Sequence, residues 1–194
     1  DPQNFLFNSV DALLGTEIGS KNSMTVTAEA RDTDLVATGD LSASAISSGL
    51  IDAQVLSAAT SVNVDLGGSS GSGGSTRSVS IAPVIGMNRI SIETRSGLTG
   101  DGDEIAIADG VSVNSSDAST IRSTNDASSV SVTVSTSSQA LDISLGLAVS
   151  RNHIDNDLSA AVSGLSSFIA ENTGISVKVS EEAEISATTR ASAV

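Results

Sequence analysis

Apolar and polar residues alternate with a period of two over most of this chain, as in Met24-Thr25-Val26-Thr27-Ala28, Val62-Asn63-Val64-Asp65-Leu66 and Val130-Ser131-Val132-Thr133-Val134. Successive side chains of an extended strand point to opposite faces, so this spacing predicts strands with one face inward and one outward. The rhythm returns at Val79-Ser80-Ile81, Ile90-Ser91-Ile92, Ile105-Ala106-Ile107 and Val111-Ser112-Val113. It returns again from Leu141 to Leu147 and in Ile175-Ser176-Val177-Lys178-Val179. Gly, Asn, Asp and Ser separate the runs about every ten residues, and no helical spacing links them. The pattern predicts an all-β chain in which small β-branched residues stack in a narrow interior.

An internal repeat at an offset of 64 residues ties several of these runs together. Val79-Ser80-Ile81 falls on Ile143-Ser144-Leu145, and Asn88-Arg89-Ile90 falls on Asn152-His153-Ile154. Ile105-Ala106 falls on Ile169-Ala170, and Gly110-Val111-Ser112-Val113 on Gly174-Ile175-Ser176-Val177, with no gap in the alignment. An earlier copy fits with insertions, Met24-Thr25-Val26 resembling Val111-Ser112-Val113 and the run from Val62 resembling that from Val130. The chain divides accordingly into an N-terminal cap or donated segment (1–20), a degenerate first repeat with a Gly/Ser loop from Gly67 to Thr76 (21–78), a second repeat (79–142) and a third, incomplete one (143–194).

Two architectures accommodate such a repeat. The favoured one is a repetitive parallel β-solenoid (β-helix) in which each unit coils into roughly three rungs. That arrangement sets Asn88 and Asn152 several rungs apart, each satisfying backbone groups at its own turn with no direct ladder between them. The alternative is a series of stacked antiparallel β-sandwich repeats, which normally want about 100 residues per domain. Composition favours the narrow core. The only aromatic residues are Phe5, Phe7 and Phe168, whereas thick cores draw on aromatic side chains. The hydrophobic content of 39% and mean hydropathy of +0.15 are too high for a disordered chain.

The net charge of −14 repels phosphate backbones, so no nucleic-acid partner is expected. The chain has no cysteine, which excludes disulfides and thiolate metal sites. No run reaches the ~18 apolar residues of a spanning helix, and no membrane insertion is expected. The first residues, Asp1-Pro2, fit a processed form or a fragment of a longer protein.

The run Leu145-Gly-Leu-Ala-Val-Ser-Arg-Asn-His-Ile-Asp-Asn-Asp-Leu-Ser-Ala160 leads from a strand through an Asn-x-Ile turn into another strand. Ile81-Ala-Pro-Val-Ile-Gly-Met-Asn-Arg-Ile90 echoes it, and the strands at Val111 and Ile175 flank it. In these runs the chain resembles the bacterial giant β-strand-repeat surface proteins, which are similar to filamentous-haemagglutinin-type adhesins. The resemblance covers most of residues 20–194 and implies secretion, a stacked-strand scaffold and a role in adhesion, sheath or fibre formation. It transfers no active site, and Pro83 and the Gly/Ser insertion depart from its pattern.

Several residues are candidates for chemistry. Gly100-Asp101-Gly102-Asp103-Glu104 has the glycines and hard oxygen ligands of an acidic calcium turn, so Asp101, Asp103 and Glu104 are candidate calcium ligands, against the commoner plain turn. His153, the one histidine, lies near Asp155 and Asp157, but its repeat equivalent is Arg89, which favours a solvated turn over a metal site. No nucleophile motif accompanies it, so no catalytic residue, enzyme activity or cofactor other than calcium is expected. Asn114-Ser115-Ser116 is a glycosylation sequon. Phe5, Leu6, Phe7, Val10, Leu13 and Leu14 form an apolar segment suited to cap the stack or to dock into a neighbour. The function expected is a structural segment of an extracellular fibre, sheath or surface adhesin, polymerising with identical subunits by end-to-end β stacking or strand donation. The alternative is an adhesin or carbohydrate-binding module that uses surface loops on a cell-surface ligand.

Overall fold

The computed structural model describes residues 12, 22–65, 76–135 and 140–194. These form strands β1 (Met24–Arg31), β2 (Leu35–Val36), β3 (Leu41–Ser47), β4 (Leu50–Asp65), β5 (Thr76–Ile90), β6 (Ile92–Thr99), β7 (Ile105–Asp117), β8 (Thr120–Ser135), β9 (Ala140–Ile154), β10 (Asp157–Ser163), β11 (Ser167–Glu181) and β12 (Glu184–Ala193). The sheets have the orders β1-β6-β10, β11-β7-β2 with β3 also on β7, β12-β8-β4, and β5-β9. Pairing is parallel between β6 and both β1 and β10, and between β7 and each of β11, β2 and β3. The protein is an all-β, repetitive fold with parallel sheets.

The pairing register explains the repeat. Glu93 lies beside Asp157 and Val111 beside Ile175, so 64 residues is the length of chain between hydrogen-bonded neighbours. Each repeat is therefore one pass of the chain, where three rungs were expected. The correspondence is not gapless. Ile107 pairs with Ile169 and Ala108 with Ala170, and the register then shifts before Gly110 meets Gly174. An offset that changes by two residues leaves every side chain on its original face, which is why the alternation hides the bulge. In the first copy Met24 pairs with Ile92, and Val111 pairs instead with Leu41.

The chain forms two compact units, each assembled from three separate segments. Unit 1 holds the described residues of Asp1–Ile51, Arg89–Ile121 and His153–Ile185; unit 2 holds those of Asp52–Asn88, Arg122–Asn152 and Ser186–Val194. Unit 1 has the aliphatic core that the alternation predicts. Leu98, Ala108, Val111 and Val113 are buried together, with Leu35, Leu41, Ala160, Val162 and Phe168 against them. A second cluster joins Ile90, Ile92 and Ile121 to Val26, Ile51 and Ile154.

Unit 2 reverses the prediction. Its buried side chains are Ser78, Ser80, Ala82 and Val84 of β5 and Ser123, Asn125, Ala127, Ser129 and Ser131 of β8. The larger residues of the same strands, Val79, Ile81, Val132 and Val134, are exposed, as are Leu141, Ile143, Leu145 and Leu147 of β9. Hydroxyl pairing accounts for the reversal. Ser61 and Ser78 hydroxyls lie 2.6 Å apart, and Ser131 donates to Ser78 at 2.7 Å. Such contacts bring the sheets closer than the ~10 Å that aliphatic layers require. A Cβ added at Gly146 would sit 2.5 Å from the Ser192 carbonyl oxygen, and one at Gly86 would sit 2.4 Å from Asn125 Oδ1. The interior thus has room for serine, alanine and glycine, and the bulky aliphatic face is turned out.

Candidate functional site

Several separate corners and edges concentrate polar groups, and the first of these is built on a residue that sequence reasoning passed over. Asp117 ends β7 and is 2% exposed. Its Oδ1 accepts hydrogen bonds from Ser47 Oγ at 2.7 Å and Ser119 Oγ at 2.9 Å. Its Oδ2 accepts from the Ser119 amide at 3.0 Å and Asn156 Nδ2 at 2.7 Å. Four donors offset the desolvation of a buried carboxylate without a paired cation. Ser47, Asp117 and Asn156 come from three successive passes of the chain, and Asn156 Oδ1 also accepts from the Ile92 amide at 3.0 Å. The carboxylate is a clamp across the sheets of unit 1. A short Asp-x-Ser pattern at a strand end was the only local signal for it.

The acidic turn has a comparable internal logic. Glu104 folds back so that Oε2 accepts from the amides of Asp101 at 2.9 Å and Gly102 at 3.4 Å, with Gly102 at φ 117. Hydrogen bonding by its own backbone amide holds the Glu104 carboxyl below the ordinary carboxylate range; burial opposes the shift, and the Asp101 and Gly102 amides reinforce it. The turn stacks on the next pass, where Ser166 Oγ donates to the carbonyl oxygens of Asp103 and Glu104. Among the described residues no three His, Asp or Glu side chains converge as a metal site would require. Asp101, Asp103 and Glu104 thus share a turn without forming a cage.

His153, Asp155 and Asp157 are likewise not brought to one point. Asp155 Oδ2 takes a 3.1 Å ion pair from Arg89, the repeat equivalent of His153, and Asp157 lies in register with Glu93. Asn114 sits in mid-strand between Ser44 and Lys178, partly exposed. Asn88 donates to Asn152 Oδ1 at 2.7 Å, and Asn152 donates to Ser150 Oγ at 3.2 Å. This is the direct ladder that the expected rung count had excluded; one repeat per pass makes the two asparagines neighbours. Phe5, Leu6, Phe7, Val10, Leu13 and Leu14, and the loop from Gly67 apart from Thr76, lie outside the described residues.

The remaining feature is a set of sheet edges. Among the described residues β10, β11 and β12 each have a sheet neighbour on one side only. In unit 1, Ile175 and Val177 continue the columns of Val111 and Val113. Val111 and Val113 are 3% and 0% exposed, whereas Ile175 and Val177 are 57% and 48% exposed. Their chemistry is that of core residues, and the difference is the missing neighbour. A shallow cleft of about 380 Å³ lies at the bulge between Asp40, Gly110 and Thr173. It holds no aromatic platform, and Thr173 already donates to Asp40 Oδ1 at 3.0 Å.

No family model matches the chain, and no curated protein or solved structure matches it significantly. Among the described residues no helix is long and apolar enough to cross a membrane.

Proposed function

We propose that this chain is a structural segment of an extracellular fibre, sheath or surface adhesin, and that it assembles by end-to-end β stacking on identical subunits. The observation that supports this reading is the outer edge of unit 1, where Ile175 and Val177 carry the interior columns to a strand with no further neighbour among the described residues. An open edge presents unpaired N–H and C=O groups, and adding a strand satisfies both these and the aliphatic column. The opposite edge, at β1 and β3, is complementary in kind. It too is parallel, and it presents Leu41 and Ala43 in the same columns. The acidic composition gives such an assembly solubility at its flanks and no basis for binding nucleic acid. The scaffold serves as a solenoid in this reading, with no catalytic role.

Sedimentation of the full chain over a concentration series tests the reading. Native protein should form a growing distribution of linear oligomers. Val177→Lys, which places an ammonium in the edge column, should raise the concentration needed for growth by at least ~10-fold. A native chain that stays monomeric throughout, or a Val177→Lys form that grows equally well, contradicts it.

A further inference from the structure

The apolar face that unit 2 turns outward is too regular to be the incidental exposure of single residues. β5 pairs with β9, and the 64-residue offset that joins Asn88 to Asn152, carried along both strands, matches Val79 and Ile81 with Ile143 and Leu145. Leu141 and Leu147 extend the β9 row, and all six are roughly half exposed, between 47% and 54%. No ionisable residue occurs at 78–88 or 143–150, in a chain whose net charge is −14. Isolated exposed aliphatics are ordinary, whereas a contiguous uncharged patch marks a contact surface.

We infer that the outward face of the β5–β9 sheet packs against the same face of a second copy of this chain, so that two subunits associate through unit 2. Three observations select that occupant. The face carries two rows of exposed aliphatic side chains, at the general sheet spacings of about 4.8 Å across strands and about 6.6 Å along them, and such rows are complementary to their own copy at the ~10 Å spacing of packed sheets. Its lack of charge removes the like-charge repulsion that the rest of this acidic surface imposes on any second copy. Its size fits a reversible contact: two strands of about nine residues cover roughly 30 Å by 13 Å, near 400 Å² per copy, about half of what a stable isolated dimer buries, so the dimer is weak and concentration-dependent. A lipid surface fits less well, since the face has no aromatic residue to hold the interfacial zone and Arg151, which continues the exposed β9 row, is a cation at one end of it only.

This inference uses a different surface from the end-to-end reading and stands or falls separately. The test uses the full chain carrying Val177→Lys, which blocks the edge, in equilibrium sedimentation with circular dichroism as the control for folding. That form should dimerise. Adding Ile81→Lys and Leu145→Lys should weaken the dimer by at least ~100-fold while the β spectrum is kept, because two desolvated ammonium groups would meet their copies. Ser112→Lys, at an exposed position in unit 1, should leave it unchanged. Because the chain has no cysteine, Leu145→Cys provides a second readout: a short bismaleimide should link two copies through this position, and should not link them through Ser112→Cys. A Val177→Lys form that is monomeric at all concentrations, a lysine pair without effect, or a monomer that floats with phosphatidylcholine vesicles through this face overturns the inference.

Discussion

Asp117 shows how much a single side chain holds in this fold. Its two oxygens accept from Ser47, Asn156 and twice from Ser119, so Asp117→Ala leaves the Ser119 amide and hydroxyl and the Asn156 side-chain amide without this acceptor, while Ser47 keeps Thr94 within hydrogen-bond distance. An unsatisfied buried group costs about 1–3 kcal/mol. The substitution should lower stability by about 3 kcal/mol in urea unfolding, and Asp117→Asn by less, since the amide keeps one acceptor. Gly146→Ala tests the close approach of the sheets in unit 2. Its methyl meets the Ser192 backbone, which cannot rotate away, and a loss of about 1–3 kcal/mol is expected. Glu104 gives a pH dependence with a definite sign. Its folded pKa lies below the ordinary value, so its contribution is complete above that value and is lost as the pH falls through the folded pKa. The Gly102 amide resonance should therefore titrate with a midpoint below the normal glutamate range, and Glu104→Gln should abolish that titration.

The elements divide into features that a linear pattern carries and features that it cannot. Alternation locates the strands, and the 64-residue correspondence of Val111 with Ile175 is literally the hydrogen-bonding register. Alternation is symmetric, however, and does not say which face is inside. In unit 1 the aliphatic face is buried, at Val111, Val113 and Ile121; in unit 2 serine is buried and Ile81 is exposed. What decides is the serine pairing across sheets, between Ser61, Ser78 and Ser131, whose members lie 17 to 70 residues apart. The bulge before Gly174 escaped for a related reason, because a two-residue shift preserves every face. Asp117 escaped because its partners other than Ser119 are 39 and 70 residues away. At this scale Ser78→Val should destabilise the protein although it raises apolar content, since it overpacks a gap sized for hydroxyl pairs and strands Ser61 and Ser131. Thermal melts of Ser78→Val and Ser78→Ala separate the two causes, with valine the more damaging.

For the molecule as a whole, the two proposed contacts use separate surfaces. The strand edges at β10 and β11 in unit 1 favour the addition of further strands, and the outward β5–β9 face of unit 2 favours packing on a second copy. Acidic residues elsewhere limit both by charge repulsion, so raising the salt concentration should promote assembly by screening. Turbidity or light scattering at increasing sodium chloride should show earlier growth, and a shift toward smaller species with salt would mean that ion pairs hold the subunits. The claim beneath all of this is that the outermost strands are completed by another copy. Fibre diffraction of concentrated, aligned native material tests it most directly. Continued stacking predicts filaments with a reflection near 4.8 Å along the filament axis, lost in Val177→Lys. Unaligned monodisperse particles without that reflection, or a reflection that Val177→Lys leaves intact, would contradict it.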